Sequence, residues 1–462
     1  MLIVDGELTP KILVPKVERL FELSAKKIST IARSWNPRLG APVITVRGKY
    51  TSRVWTEWTL GFQVGSALLQ FDATGEKKFL ELGRDETLKR MAAHVTHMGI
   101  HDHGFNIVST YGGLHRLMRE GRIPFNEWEK NFYEMALKCS GAVQAARWTV
   151  IQNGKGYIYS FQGAHSLFAD TMRSLRSLAL AYQLGHELKG ENDESISLLE
   201  RLIHHAETTA KYNLYYGEGR DAFDVRGRVA QESIFNPKNG TYRCPGTHQG
   251  YSPFSTWTRG LAWVMLGFVE ELEFIDVVPD KNLKPYGGRK QIVDMMMKAA
   301  RATCDFYLEN TPTDGIPYWD TGAPNLRTLG DYLGKPADPY NEYEPVDSSA
   351  ATIAAQGLMR FGRYLNMAGK KADGRRYYQA GLTIANALFD EPYLSRNSQH
   401  QGLILHSVYH RPNGWDYIPP GSKVPNGESS MWGDYHALEL GLLISREAGD
   451  RKSTRLNSSH RL

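Results

Sequence analysis

Residues 12–35, ILVPKVERLFELSAKKISTIARSW, place Leu13, Val17, Leu20, Phe21, Leu23, Ala25, Ile28 and Ile31 mostly three and four positions apart. That spacing lines one face of an α-helix and departs from the two-residue period of a strand. Pro15 predicts the first turn of this helix, where a missing N–H costs nothing. The same period recurs over 61–72, 77–97, 104–119, 127–149, 166–188, 193–212, 255–274, 289–309, 346–367, 370–389 and 429–447. Gly-, Pro- and Asn-bearing segments at 151–163, 235–254, 311–345 and 390–428 divide the blocks. Strand-like alternation is scarce. The pattern predicts an all-α protein of about twelve helices with long connecting loops.

Twelve helices in series, with no linker-like shift in composition, suit six helical hairpins closed into a ring as one domain over residues 1–448. In such a toroid the inner helices pack on one another and the loops at one end form a funnel. Long loops in compact domains usually carry function. An α-solenoid or a plain bundle is the alternative, but a solenoid should repeat in sequence and no repeat is found. Residues 449–462, GDRKSTRLNSSHRL, lack apolar periodicity and read as a disordered or non-native tail.

Composition narrows the function classes. The 462 residues are 41% hydrophobic and 23% charged, as in ordinary globular proteins. No apolar run approaches bilayer length. The start, MLIVDGELTPKILVPK, has too short an apolar stretch for a secretory signal, with Asp5 and Glu7 close behind, so a cytoplasmic location is expected. Cys139, Cys244 and Cys304 make neither a disulfide framework nor a zinc-ligand pattern. A net charge of +5, without a dense basic stretch, points away from nucleic acid and is compatible with a small anionic substrate. Aromatics make up 11% of the chain, and Trp55, Trp58, Trp257, Trp263, Trp319, Trp415 and Trp432 stand near glycine or in loop-like segments. Flat aromatic faces suit sugar rings, while core packing is the competing reading for each Trp.

Five segments hold candidate chemistry. HDHGF (101–105) sets Asp102 between two imidazoles. Asp102 could equally cap the next helix, and a metal site built on successive residues has poor geometry. Asp170, near the apolar surface of Leu167, Phe168, Met172, Leu175, Leu178, Ala179 and Tyr182, is a candidate for a pKa raised by desolvation or an ordinary first-turn acid. Arg259 and Trp263 are four apart on one helix face, so a guanidinium fork and an indole could hold a sugar carboxylate, or the two could simply pack together. DSSAATIAAQGL (347–358) opens a helix with Asp347 or Ser348 as cap, and Trp432, Gly433 and Asp434 stand at another helix entry.

Taken in order, WTLGFQVG (58–65), HDHGF (101–105), Gly163 to Asp170, QGYSPFSTWTRGLAW (249–263), GIPYWD (315–320), DSSAATIAAQGL (347–358) and WGDYHALE (432–439) resemble the unsaturated glucuronyl hydrolases of glycoside hydrolase family 88. The resemblance covers roughly residues 40–445. It implies an (α/α)6 barrel, an acid/base carboxylate at Asp170 and a second essential carboxylate at Asp102. It also implies substrate contacts from Trp58, His101, Gln249, Arg259, Trp263 and Trp432, with no metal or organic cofactor. One departure stands out. Where many relatives carry a histidine, the stretch DVRGRVAQESIF places Gln231, so pocket polarity should differ.

The implied substrate is an unsaturated uronyl oligosaccharide, whose C4=C5 double bond forms a vinyl ether with the ring oxygen. Protonation at C4 and addition of water at C5 would release the remaining chain. Asp170 is expected to carry the proton, and Asp102 to stay ionised and hold ring hydroxyls. An unsaturated rhamnogalacturonyl hydrolase, or an inactive sugar-binding toroid, are the alternatives. Loss of the double bond's ultraviolet absorbance separates turnover from binding.

Overall fold

A computed structural model describes residues 1–449, so the predicted tail, Gly449 apart, lies outside the described residues. The helices are α1 (Pro10–Ser34), α2 (Leu60–Thr74), α3 (Lys77–Arg90), α4 (His103–Ile107), α5 (Gly113–Arg119), α6 (Glu127–Ala146), α7 (Thr171–Ser174), α8 (Arg176–Gln183), α9 (Leu198–Tyr212), α10 (Thr258–Ile275), α11 (Asp280–Leu283), α12 (Gly288–Glu309), α13 (Ser348–Met367), α14 (Lys371–Leu388) and α15 (Met431–Gly449). A π-turn at Val108–Gly112 joins α4 to α5. No helix among the described residues is long and apolar enough to cross a membrane.

Packing sorts the helices into two layers. α2, α4, α7, α10, α13 and α15 each contact the next, and α15 returns to α2, which closes an inner ring. The outer helices lie against it: α1 on α15 and α2, α3 on α2, α6 on α4, α9 on α7, α12 on α10 and α14 on α13. The chain thus alternates between the layers, and the expected (α/α)6 barrel is what forms. Sequence explains each layer. Every residue of α10 is buried, which fits TRGLAWVMLGFVEELEFI with its apolar residues on all sides. α1 buries a stripe of Leu13, Val17, Leu20, Phe21, Ser24, Lys27 and Ile31.

Glycine sits at all six seams of the inner ring. A Cβ on Gly61 of α2 would fall 2.4 Å from the Asn106 Cα of α4, and one on Gly104 of α4 would fall 2.5 Å from the Ser174 Cα of α7. Gly267 of α10 meets the backbone of Met172 in the same way, at 2.7 Å. A Cβ on Gly357 would lie 3.1 Å from the backbone of Leu266, and one on Gly433 would lie 3.1 Å from Ser349 Cβ. Gly65 closes the circle against Ser109 O at 2.7 Å and the Tyr435 ring at 2.9 Å. These distances are below or at the edge of ordinary contact, so the inner helices are closer together than a side chain there allows.

An ionic cluster fills the barrel below the site. Arg173, 1% exposed, donates to Glu270 at 3.1 Å and to Glu439 at 2.9 Å. Arg360 of α13 pairs with Glu273 and lies 3.4 Å from Glu270. Such buried charges are tolerable only because they compensate one another.

Three expectations need correction. α1 begins at Pro10 behind the Thr9 cap, so Pro15 lies inside the helix and not in its first turn. Residues 166–188 are not one helix. Ser166–Phe168 form β5, paired antiparallel with β8 (Glu232–Phe235), and only then come α7 and α8. The cross-strand partners of Leu167 and Phe168 are Ser233 and Glu232, far away in sequence, so the local apolar run could not disclose them. Strands are also commoner than expected, with small antiparallel sheets decorating the loops.

Candidate active site

A cavity of about 450 Å³ opens at the loop end of the barrel. Its walls include Trp58, His101, Asp102, Phe168, Asp170, His248, Gln249, Trp257, Trp263, Tyr409 and His410.

The acidic centre is assembled from two places in the chain. His101 and Asp102 end the loop before α4. Gln144 Nε2 and Ser174 Oγ both donate to the His101 carbonyl, at 2.9 and 2.8 Å, and Arg147 donates to the carbonyls of Met98, Tyr159 and Ser160. Asp102 occupies the N-cap position of α4, yet its side chain makes no capping hydrogen bond. The carboxylate is therefore turned to other use. Asp170 follows β5, whose end is pinned by the Ala169 N–H donating to the Gln231 carbonyl at 2.9 Å. An Asp170 carboxylate oxygen is buried without a hydrogen-bond partner among the described residues.

His101 lies between the carboxyls, its Nε2 3.7 Å from Asp102 and 3.9 Å from Asp170. Burial opposes its cation, but the charges of Asp102 and Asp170 outweigh that and raise its pKa above the ordinary imidazole value. Burial pushes Asp102 up to about 6, with His101 opposing and Asp170 adding to the rise. Asp102, expected to stay ionised, is thus a carboxyl that takes up a proton more readily than an ordinary aspartate. One donor atom from each of the three lies within 4.8 Å of the others, a spacing a divalent ion could bridge. The raised pKa of His101 gives a competing occupant, a proton. His103 takes no part, because its Nδ1 meets Ser140 Oγ at 2.7 Å and its Nε2 the His97 carbonyl at 3.0 Å.

The other predicted residues divide. Trp58, Gln249 and Trp263 line the cavity. Trp58 stacks on Trp432 at 5.2 Å, and Trp432, wholly buried, donates from Nε1 to Ser349 Oγ and so stands behind the cavity wall. Gln231 is buried outside the cavity. Its Oε1 accepts from the His248 and Gln249 N–H groups, so it sets the loop that carries them.

Arg259 is tied into the protein at the cavity wall. It touches the cavity but is 1% exposed. Its Nη1 donates to Asp347 at 2.7 Å and to the Val408 carbonyl at 2.5 Å, and its Nη2 to the Tyr409 carbonyl at 2.7 Å. The guanidinium also lies 4.6 Å from the Trp257 ring and 4.8 Å from the Trp432 ring. Those bonds take three of the five guanidinium N–H groups, so Arg259 braces the 408–409 loop against Asp347 while it borders the cavity.

Sequence reasoning missed His248, Tyr409 and His410. The two imidazoles meet edge to face at 4.9 Å. Asn413 N–H donates to His410 Nδ1, which leaves the ring hydrogen on Nε2, an atom buried without a protein partner among the described residues. Burial lowers the pKa of both, His410 to about 3, so His410 is neutral near pH 6. The long loop 390–428 marked the region, but no local pattern marked the residue.

No model of a known protein family matches the chain. Over 400 residues it is 24% identical to the unsaturated glucuronyl hydrolase of Formosa agariphila, which covers 83% of this chain and 78% of that one. A crystal structure of an unsaturated glucuronyl hydrolase specific for heparin superposes with a TM-score of 0.69 at 18% identity, over 94% of this chain and 98% of the other. The unsaturated glucuronyl hydrolase of Bacillus sp. GL1, described as responsible for the degradation of glycosaminoglycan, gives a TM-score of 0.67 at 20% identity, over 93% and 96%.

Proposed function

We infer that this chain, a member of the unsaturated glucuronyl hydrolases of glycoside hydrolase family 88, removes a 4,5-unsaturated uronic acid from the non-reducing end of lyase-generated oligosaccharides. The observation that carries the reading at this site is the buried pair Asp102 and Asp170 on either side of His101, walled by aromatic rings. Proton transfer to carbon needs an acid held near working pH in a dry, fixed geometry, and sugar rings need flat apolar faces.

Asp170 delivers a proton to C4, and positive charge develops on C5 and the ring oxygen. Water adds at C5 as Asp170 takes back a proton. The C5 hemiketal opens to a ketone, which leaves the former ring oxygen on C1 as a hemiacetal with the leaving sugar. That hemiacetal collapses to an aldehyde and frees the sugar. Asp102 and His101 hold the proton supply and contact the ring hydroxyls. The carboxylate meets His410 Nε2–H and the Gln249 amide, beside the Arg259 guanidinium at the cavity wall. Trp58 and Trp263 flank the ring.

Turnover in heavy-oxygen water tests this chemistry. Label should enter the released acid at C5 as the ultraviolet absorbance of the double bond is lost, at a rate unchanged by chelator. Label at the anomeric carbon would mean direct glycosidic attack, and zinc- or calcium-dependent recovery after chelation would put a metal between His101, Asp102 and Asp170.

A further inference from the structure

Trp55 stands at the exposed end of the same cavity, in the loop between β2 (Lys49–Thr51) and α2. Three features make it unusual. Its side chain is 77% exposed, so most of a large apolar surface is left in water. Among the described residues it makes no ring–ring contact, although Trp58, three positions on, packs against four aromatic side chains. Its φ is +57°, a left-handed conformation that is strained for a residue with a Cβ. Folding therefore gains nothing visible from this indole and is strained to hold it. The remaining partner for the ring is whatever fills the cavity mouth.

The floor of the cavity, with Asp102, Phe105, Phe168 and Trp263, is buried and is where the unsaturated ring reacts. Phe161, 43% exposed, stacks on His101 with ring centroids 6.3 Å apart and lines the same cavity. A chain whose non-reducing end is on the floor must leave through the mouth. We propose that Trp55 is a stacking platform for the pyranose ring on the leaving side of the scissile bond, so that the enzyme selects for a sugar, and not merely any alcohol, as leaving group. The inference rests on the hydrolase reading above.

Trp55→Asn is the useful variant, because Asn tolerates the left-handed backbone and removes the ring. Three substrates separate the outcomes: the methyl glycoside of the unsaturated uronic acid, a lyase-generated disaccharide and a tetrasaccharide. The variant should lose about tenfold in kcat/KM on the disaccharide and tetrasaccharide, mainly through KM, while methyl-glycoside turnover and thermal stability hold. Trp55→Tyr should recover part of the loss. Equal losses on all three substrates, or none on any, would overturn the platform while leaving the hydrolase reading standing. Failure of the unmodified protein to consume any of the three would remove both.

Discussion

His101 Nε2 lies within 4 Å of both carboxyls, and the three groups lie within 4.8 Å of one another, so a change of charge on one is felt by the others. Asp102, raised to about 6, is protonated below that pH and charged above it. Because the reaction consumes a proton from this cluster, kcat/KM should fall as pH rises through and beyond about 6. Asp102→Asn should lower the rate and displace that fall, whereas Asp170→Asn should cost roughly a hundred- to ten-thousand-fold at every pH. Both profiles can be followed by loss of the double bond's absorbance. A fall near pH 6 that survives Asp102→Asn would take Asp102 out of the proton supply.

At the level of elements, buried carboxylates pin the loops that carry the site. Asp416 accepts from the His410 N–H and Asp320 from the Tyr251 N–H, as Asp347 does from Arg259. Irregular backbone has no ladder of its own, so side chains must satisfy it. Arg259→Lys replaces a planar fork with a point charge and leaves the Val408 and Tyr409 carbonyls short of donors. The expected result is destabilisation of about 2–4 kcal/mol together with a raised KM, read by denaturant titration and kinetics. Normal stability with lost activity would restore Arg259 to the substrate. The same residue marks the limit of what sequence disclosed. Helix periodicity gave the alternation of α1, α2 and the later pairs, and motif order gave Asp102, Asp170, Trp58 and Gln249. Spacing also put Arg259 and Trp263 on one face, but could not reveal that Asp347 and a loop nearly 150 positions away hold the guanidinium. His410 escaped for the same reason: its role comes from tertiary contacts.

For the whole molecule, we propose that residues 1–448 unfold as one unit, because the inner ring has no end at which fraying could start. The glycine seams give that closure a mechanical meaning. Interaxial distances depend on the side chains at the contact, and here six of them in series make a hoop. In an open stack of helices, a methyl added at one seam pushes its two neighbours apart and the disturbance ends there. In a hoop the circumference is shared, so the extra width at one joint must be taken up by the other five. Gly267→Ala and Gly65→Ala, at seams on different parts of the ring, should each destabilise, and together should depart from the sum of their separate effects by more than the roughly 0.5 kcal/mol typical of distant sites. Calorimetry should show a single transition in every variant. Simple additivity would mean that each seam yields locally. Otherwise the bore of the barrel, and with it the width of the cavity at its mouth, behaves like the diameter of a tensioned ring: a property of the circle that no one joint owns.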